Sequence, residues 1–241
     1  MRIAVANLFC LNPRPTRAVA AVAAQQPDVA AVIESTRRFD SRAATRLPPR
    51  RDVAVTRKGG LPIALYVRED LPVERVRASG RGWVEWRVGE VHLLVVHAIA
   101  PYLPWRWRRR ERQLLALARR LRALHERRPE TAALALGDFN TARFEPTWRR
   151  MERELGLWRR LELDCSPCKV SPGRVAPNGV AAGKGTWPWS CLWAPIALDH
   201  VVAAPAIAEQ SEALRARAFP IPGSDHRGVV VDLPVPDRRS V

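Results

Sequence analysis

Apolar residues along this chain fall into short runs of strand length, interrupted by a few longer stretches at helical spacing. Residues 2 to 8 are apolar and β-branched enough for a buried strand, and Pro13 and Pro15 then lead into an alanine-rich helix near 16 to 25 that Pro27-Asp28 ends. Val29 to Ile33 predicts a second buried strand, which delivers Glu34 at its carboxyl end, where open α/β sheets tend to place functional groups. Strands follow near 53 to 56, 62 to 67, 83 to 88 and 91 to 96, separated by turn signals at Gly59-Gly60, Ser79-Gly80 and Gly89.

Trp105 to Arg127 is the longest helical stretch, with Leu114, Leu115, Leu117, Ala118, Leu121 and Leu124 as its core-facing stripe. Its opening turns interleave Arg106, Arg108, Arg109, Arg110 and Arg112 with Trp105 and Trp107. That pattern is either a basic and aromatic ledge or, more commonly for a charge run, a solvated helix face whose tryptophans pack on a sheet. Ala132 to Leu136 predicts another strand with Asp138 and Asn140 on the loop after it, and a helix near 145 to 155 ends at Gly156. Residues 164 to 195, rich in Pro, Gly, Cys and Trp, read as a long ordered loop, and strands near 198 to 203 and 228 to 233 close the chain. Helices interspersed among strands at both ends, with hairpin-like runs between them, predict an α/β fold with mixed sheets. Candidate site residues run from Asn7 to His226 without an intervening linker, so residues 1 to 234 are expected to form one domain, with 235 to 241 a short polar tail.

The opening apolar run is too short for a secretory signal, and no run approaches the roughly 20 apolar residues of a membrane span. A soluble, cytoplasmic, monomeric protein without membrane insertion is the expectation. The 241 residues include 40 basic and 24 acidic side chains, a net charge of +16 that suits an anionic partner such as nucleic acid or anionic lipid. Of the basic residues only Lys58, Lys169 and Lys184 are lysine, a skew that a compositional bias would also produce, so charge alone leaves the partner open. Cys165-Ser-Pro-Cys168 has the spacing of half a zinc site or a redox pair, yet no second pair follows. Zinc with Cys191 and a histidine, a local disulfide, and free thiols like Cys10 all remain open.

Two short motifs carry the chemistry: Gly137-Asp138-Phe139-Asn140 after an apolar run, and Gly223-Ser224-Asp225-His226 before another. Each sets a carboxylate beside a hydrogen-bond donor, as hydrolysis of a phosphate ester requires. With Asn7, Glu34 and Leu198-Asp199-His200 they form an ordered series. Glu34 is the first candidate ligand for Mg²⁺ or Mn²⁺, assisted by Asn7, with Asp225 touching the metal or its water. Asp138 would orient the attacking water and take its proton, and Asn140 would donate to a phosphate oxygen. His226 would donate to another, its ring held protonated by Asp199. His97 would reach the phosphate from another side, whereas His92, His125 and His200 lack such neighbours and read as structural.

This series resembles the endonuclease/exonuclease/phosphatase superfamily, the metal-dependent phosphoesterases that include DNase I and the exonuclease III type of repair nuclease. The resemblance spans nearly the whole chain and implies a four-layer α/β sandwich, two facing mixed sheets flanked by helices, with a metal site at one end. It implies the same roles for Asn7, Glu34, His97, Asp138, Asn140, Asp199, Asp225 and His226. The chain is also similar to a bacterial branch in which the first motif leads to a Thr-Trp-Pro triplet, here Thr186-Trp187-Pro188. It departs from the repair nucleases, which have Gln before the metal-binding Glu and Lys soon after, where Ile33 and Ser35-Thr36-Arg37 stand. It departs from DNase I in offering no carboxylate within residues 59 to 66 to pair with His97. The expected activity is phosphodiester hydrolysis in nucleic acid. Phospholipid head groups or small phosphorylated molecules are the alternative substrates, and a catalytically idle nucleic-acid-binding module is the alternative class.

Overall fold

The structure, a computed structural model, describes residues 1–56, 60–78, 82–156, 158–161, 163, 198–208 and 214–233. Its elements in chain order are β1 (Arg2–Asn7), α1 (Pro15–Ala23), β2 (Val29–Ile33), α2 (Arg37–Ala43), β3 (Arg50–Val55), β4 (Pro62–Val67), β5 (Val73–Ala78), β6 (Trp83–Val88), β7 (Val91–His97), α3 (Pro104–Arg127), β8 (Ala133–Asp138), α4 (Pro146–Leu155), β9 (Arg159–Arg160), β10 (Asp199–Ala203), α5 (Pro205–Ala208), β11 (Arg215–Pro220) and β12 (Arg227–Asp232). Two six-stranded sheets result, one in the order β11-β12-β1-β2-β4-β3 and the other β5-β6-β7-β8-β10-β9. Each holds one parallel pair, β1 with β2 and β7 with β8, among antiparallel neighbours.

Side chains alternate between the two faces of a strand, and here both faces are apolar. Ile3, Val5, Val29, Ala31 and Ile33 of one sheet meet Leu93, Val95, Leu134 and Leu136 of the other. The opposite faces are covered by helices. Ala18, Val19, Val22 and Phe39 of α1 and α2 pack on Ala4, Ala6, Ala30 and Val32. Leu114, Leu117, Leu121, Trp148 and Met151 of α3 and α4 pack on Leu94, Val96, Ala133 and Ala135. Helix, sheet, sheet, helix is the expected four-layer order, and burying each leucine of the α3 stripe contributes about 1.5–3 kcal/mol.

Local signals set most boundaries. The three longest helices each start on proline, at Pro15, Pro104 and Pro146, where the missing N–H has no helical partner to lose. Gly156 ends α4 with φ +62°, a left-handed conformation that glycine adopts without strain. The first and last strands meet: β1 pairs antiparallel with β12, the Met1 ammonium donates to the Leu233 carbonyl at 2.8 Å, and Arg2 Nε donates to Asp232 at 2.6 Å. Among the described residues no helix is long and apolar enough to cross a membrane.

The pattern of residues did not predict α2, β5, β9, α5 or β11. The outer strand β5 (Val-Glu-Arg-Val-Arg-Ala) breaks the alternation of its two valines with charged residues, and β11 (Arg-Ala-Arg-Ala-Phe-Pro) is rich in arginine and alanine, which have little intrinsic preference for strand. In β11 the alternation is present but faint, with Ala216 and Ala218 buried beside exposed Arg215 and half-buried Arg217. Pairing with β12 makes it a strand. Residues 164 to 195 and 235 to 241, which carried the loop and tail expectations, lie outside the described residues.

One carboxylate sits within the helix-facing apolar layer. Glu85 of β6 is fully buried, and both its oxygens accept from Arg120 of α3 at 2.8 Å, with His92 Nδ1 at 2.9 Å from Oε1. Burial opposes its ionisation, but the bonds from His92 and Arg120 outweigh that and hold its pKa below the ordinary glutamate value. The folded-state pKa is depressed, so this stability is present above the unfolded value of about 4.3 and is lost as pH falls through the folded one. Glu85→Gln is expected to lower the unfolding free energy by roughly 3 kcal/mol at pH 7, because it leaves the Arg120 charge half-buried without its counterion. The gap in urea midpoints between wild type and variant should narrow as pH drops below about 4, and a gap constant across that range would overturn the assignment.

Candidate active site

The site is the polar end of the layer between the sheets. Along β1 the inward positions Ile3 and Val5 continue to Asn7, along β7 Leu93 and Val95 continue to His97, and along β8 Leu134 and Leu136 continue to Asp138. On β10 Val201 and Ala203 share the inward face with Asp199. A period of two thus aims four polar side chains into the space that aliphatic ones fill deeper in the core. Register brings the ends level, since His97 and Asp199 are both Cα partners of Asp138 and Asn7 is partnered by Ile33.

Glu34 is out of phase with Ala31 and Ile33, and a φ of +59° redirects it. Such a conformation costs a non-glycine residue about 1–3 kcal/mol and persists where the surroundings over-determine it. Here the Cys10 N–H donates to Glu34 Oε2 at 2.9 Å, Ser35 N donates to the Pro62 carbonyl at 2.9 Å, and Ser35 Oγ donates to Asp40 at 2.8 Å.

Contacts link the expected residues into one cluster. Asn7 Nδ2 lies 3.4 Å from Glu34 Oε1 and 3.3 Å from Asp138 Oδ2. His97 Nε2 lies 3.5 Å from Glu34 Oε1, so His97 does have a carboxylate partner, one that comes from the end of β2 rather than from residues 59 to 66. Asp138 Oδ1 accepts from the Asn140 N–H and Oδ2 from Asn140 Nδ2, both at 2.8 Å, while Asn140 Nδ2 also reaches the Ala98 carbonyl at 3.0 Å. His226 Nδ1 donates to Asp199 Oδ2 at 3.0 Å, and its Nε2 stands 3.7 Å from Asp138 Oδ2. Asp225 joins electrostatically, its charge acting on both His226 and Tyr102.

Electrostatics separates the carboxyls. Burial opposes the charge on Glu34, but hydrogen bonds from His97 and Cys10 prevail and hold its pKa at about 2. Burial pushes Asp138 up, and although His226 pulls it down, Asp199 adds to the rise. For His226, burial disfavours the charged ring, yet Asp199 and Asp138 outweigh it and keep the imidazole protonated well above its ordinary range.

Two groupings can be tested for a divalent cation. Ligand atoms of Asp138, Asp199 and His226 lie within 4.8 Å of one another, but a protonated imidazole donates through both nitrogens and has no lone pair for a metal. The ionised Glu34 carboxylate and the partly exposed Asp225, whose charge acts on His226, are hard oxygen donors of the kind that Mg²⁺-like cations take. Asn7 was expected as a ligand, but the atom it turns toward the carboxylates is Nδ2, while Oδ1 accepts from the Phe9 N–H at 3.1 Å. In this geometry Asn7 bridges Glu34 and Asp138.

Several residues hold the cluster from behind. Gly137 has φ +129°, and a Cβ there would lie 2.4 Å from the Val96 carbonyl oxygen, so the first motif needs its glycine. Phe139 packs edge-on against Trp148 and His200, with centroids 5.8 and 5.6 Å away. His200 follows Asp199 and points to the opposite face, where Nε2 donates to the Thr141 carbonyl at 2.8 Å and burial lowers its pKa to about 4, leaving it neutral. Asn12 was missed in the sequence. Fully buried, it donates to the Leu8 and Pro222 carbonyls and so ties the turn that carries Asp225 and His226 to the end of β1. Ser224 Oγ adds a bond to the Asn7 carbonyl at 2.8 Å. Cys10 is a free, partly exposed thiol, while Cys165, Cys168, Cys191 and Thr186-Trp187-Pro188 lie outside the described residues.

The arginine run divides in the structure. Arg110 is fully buried, and its guanidinium donates to the Asn140 carbonyl and the Glu145 carboxylate, while Glu145 Oε1 accepts from Ala142 N at 2.8 Å. The signal was available, because Arg110 continues the stripe of Leu114, Leu117, Leu121 and Leu124 by one turn. Trp105 and Trp107 stay largely exposed, contrary to a helix face whose tryptophans pack on the sheet. Arg110→Met is expected to destabilise the fold by roughly 3 kcal/mol, because it strips a buried ion pair of one partner. The exposed Arg109→Met should cost less than about 0.5 kcal/mol. Equal urea midpoints for the two variants would contradict this division.

Comparison with known proteins agrees with this architecture. The model of the endonuclease/exonuclease/phosphatase family matches residues 4–226. Similar solved structures include a beta toxin of Staphylococcus aureus with bound magnesium ions (TM-score 0.66, 13% identity, 96% of this chain and 99% of that one). An AP endonuclease of Archaeoglobus fulgidus is also similar (TM-score 0.61, 14% identity, 98% and 100%), as is a mannosyl-6-phosphatase of Bacteroides thetaiotaomicron (TM-score 0.61, 15% identity, 98% and 100%). No curated protein matches by sequence. The match over nearly the whole chain, on a fold that gathers these carboxylates and imidazoles at one end, places the protein in the endonuclease/exonuclease/phosphatase family as an enzyme that hydrolyses phosphate esters with a divalent metal.

Proposed function

We propose that the protein is a nuclease, a Mg²⁺- or Mn²⁺-dependent monomer that cleaves phosphodiester bonds of nucleic acid in the cytoplasm. The observation that carries the reading is the single cluster in which the carboxylates of Glu34, Asp138, Asp199 and Asp225 interact with His97, Asn140 and His226. The net charge of +16 supports a polyanionic substrate.

Glu34 and Asp225 would hold the cation, with Asn7 fixing Glu34 beside Asp138. When bound, the cation polarises a phosphoryl oxygen and neutralises charge that grows in the transition state. Asp138 orients the attacking water and takes its proton. Its raised pKa makes it a better base than an ordinary aspartate, and Oδ1, which accepts from the Asn140 N–H, has a second lone pair for that water. His226 donates from Nε2 to a phosphoryl oxygen, and Asp199 holds its ring in the charged form. His97 donates to a further oxygen, and Asn140 to another by exchanging one of its two Nδ2 bonds, to Asp138 or to the Ala98 carbonyl, for the phosphate.

Asp138→Asn and His226→Gln are each expected to lower hydrolysis by about a hundredfold or more while the far-UV circular dichroism at 25 °C stays that of the folded protein. Unaltered metal-dependent turnover in Asp138→Asn would defeat the assignment. Glu34→Gln is expected to weaken Mn²⁺ binding by calorimetry as well as activity, and undiminished binding would move the cation elsewhere. The substrate class is tested with wild type and Mg²⁺ or Mn²⁺ against supercoiled plasmid, single-stranded RNA, a phosphodiester dye ester and phospholipid. Cleavage of phospholipid but of neither nucleic acid would replace the nuclease reading, and binding without hydrolysis of any substrate would indicate an idle module.

A further inference from the structure

Nine large hydrophobic side chains are exposed among the described residues, and six of them lie on the segments that follow β1, β7 and β8. Leu11 follows β1, Tyr102, Leu103, Trp105 and Trp107 follow β7, and Phe144 follows β8, whereas Val53, Val55 and Val76 lie on strands β3 and β5. The end that displays the six is the one at which β1, β7 and β8 deliver Asn7, His97 and Asp138.

Three of these rings are tied to the site. The Trp107 ring has the Arg110 guanidinium 5.2 Å from its centroid, and Arg110 is itself anchored on the Asn140 carbonyl. Trp107 is therefore one side chain away from a site residue, held from behind, with about half its surface (49%) open. Phe144, 65% exposed, stands on the loop that the Arg110–Glu145 pair fastens. Tyr102, 74% exposed, is close enough to feel the charges of Asp225, Asp138 and Glu34. Exposed Arg108, Arg109, Arg112 and Arg143 and half-buried Arg106 lie within five residues of Trp107 or Phe144 along the chain.

We propose that Tyr102, Trp107 and Phe144 form a stacking platform for unpaired bases of single-stranded nucleic acid, with the arginines near them in the chain on its phosphates, so that a strand is led across the site. The proposal rests on the nuclease reading and narrows its substrate. An aromatic face gains by stacking on a base that is not already stacked and paired, which favours single strands over duplex. Exposed arginines on the same segments as the rings supply the phosphate contacts that such a strand also needs. An anionic membrane is the less suitable occupant. Trp105 and Trp107 are two residues apart on α3, so they project about 200° from each other around the helix axis and share no continuous apolar face.

The test is binding of a fluorescein-labelled 15-nucleotide oligo(dT), and of a duplex of equal length, in EDTA at several salt concentrations. Wild type, Tyr102→Ala/Trp107→Ala and Trp107→Phe are compared, with thermal midpoints to confirm folding. The double variant is expected to bind the single strand at least about tenfold more weakly and the duplex nearly as wild type does, with Trp107→Phe close to wild type. Equal single-strand affinity in wild type and the double variant, while wild type still cleaves nucleic acid, would overturn the platform alone. Wild type that neither binds nor cleaves nucleic acid but associates with phosphatidylglycerol vesicles would overturn the nuclease reading and the platform with it.

Discussion

Mutual repulsion of carboxylates governs how the site is built. Glu34, Asp138, Asp199 and Asp225 converge at the end of an apolar layer, where the dielectric is low and like charges cannot all ionise without compensation. Donors are interleaved among them. Asn7 stands between Glu34 and Asp138, Asn140 grips both oxygens of Asp138, and the protonated ring of His226 lies between Asp199 and Asp138. The compensation is uneven by construction: Glu34, with His97 and a backbone N–H, stays strongly ionised, whereas Asp138, deeper and crowded by Asp199, becomes more basic. Two carboxylates driven apart in pKa is the arrangement that lets one hold a cation while the other handles a proton.

That balance needs both sheets. Asn7 and Glu34 come from the first sheet, together with the turn before β12 that carries Asp225 and His226, while His97, Asp138, Asn140 and Asp199 come from the second. Since neither sheet holds a complete set of charges and donors, the apolar packing between them is also what assembles the chemistry. The buried polar residues outside the pocket serve that packing. Asn12 ties the His226 turn to β1, Arg110 ties the Asn140 loop to α3, and neutral His200 props the same loop from the far side of the sheet. A buried donor that is left unsatisfied costs about 1–3 kcal/mol, so these residues resist substitution although none touches the pocket's carboxylates directly.

The rim follows from the same topology. Segments after β1, β7 and β8 emerge beside the carboxylates, and the stripe of α3 decides which of its arginines turn inward. Arg110, in phase with the leucines, becomes a structural tie. Trp107, three residues earlier, has that guanidinium over its ring and stays about half exposed.

The polar residues that the fold gathers at one end, and the strands that lead to them, were legible in the chain. Those are local properties: an apolar run of period two or a buried run names a strand, and the polar residue that ends it names a candidate, as for Asn7, Glu34, His97 and Asp138. The weakly patterned outer strands β5 and β11 escaped for the same reason, because their arginines and alanines become strand through a neighbour's hydrogen bonds. Which atoms face one another was left to the packed molecule. Packing paired His97 with Glu34, turned the nitrogen of Asn7 rather than its oxygen toward the carboxylates, and buried one arginine of a run of five. Asn7 and Asp138 are 131 residues apart along the chain, and their 3.3 Å approach is set by the seating of one sheet on the other, which no window of sequence contains.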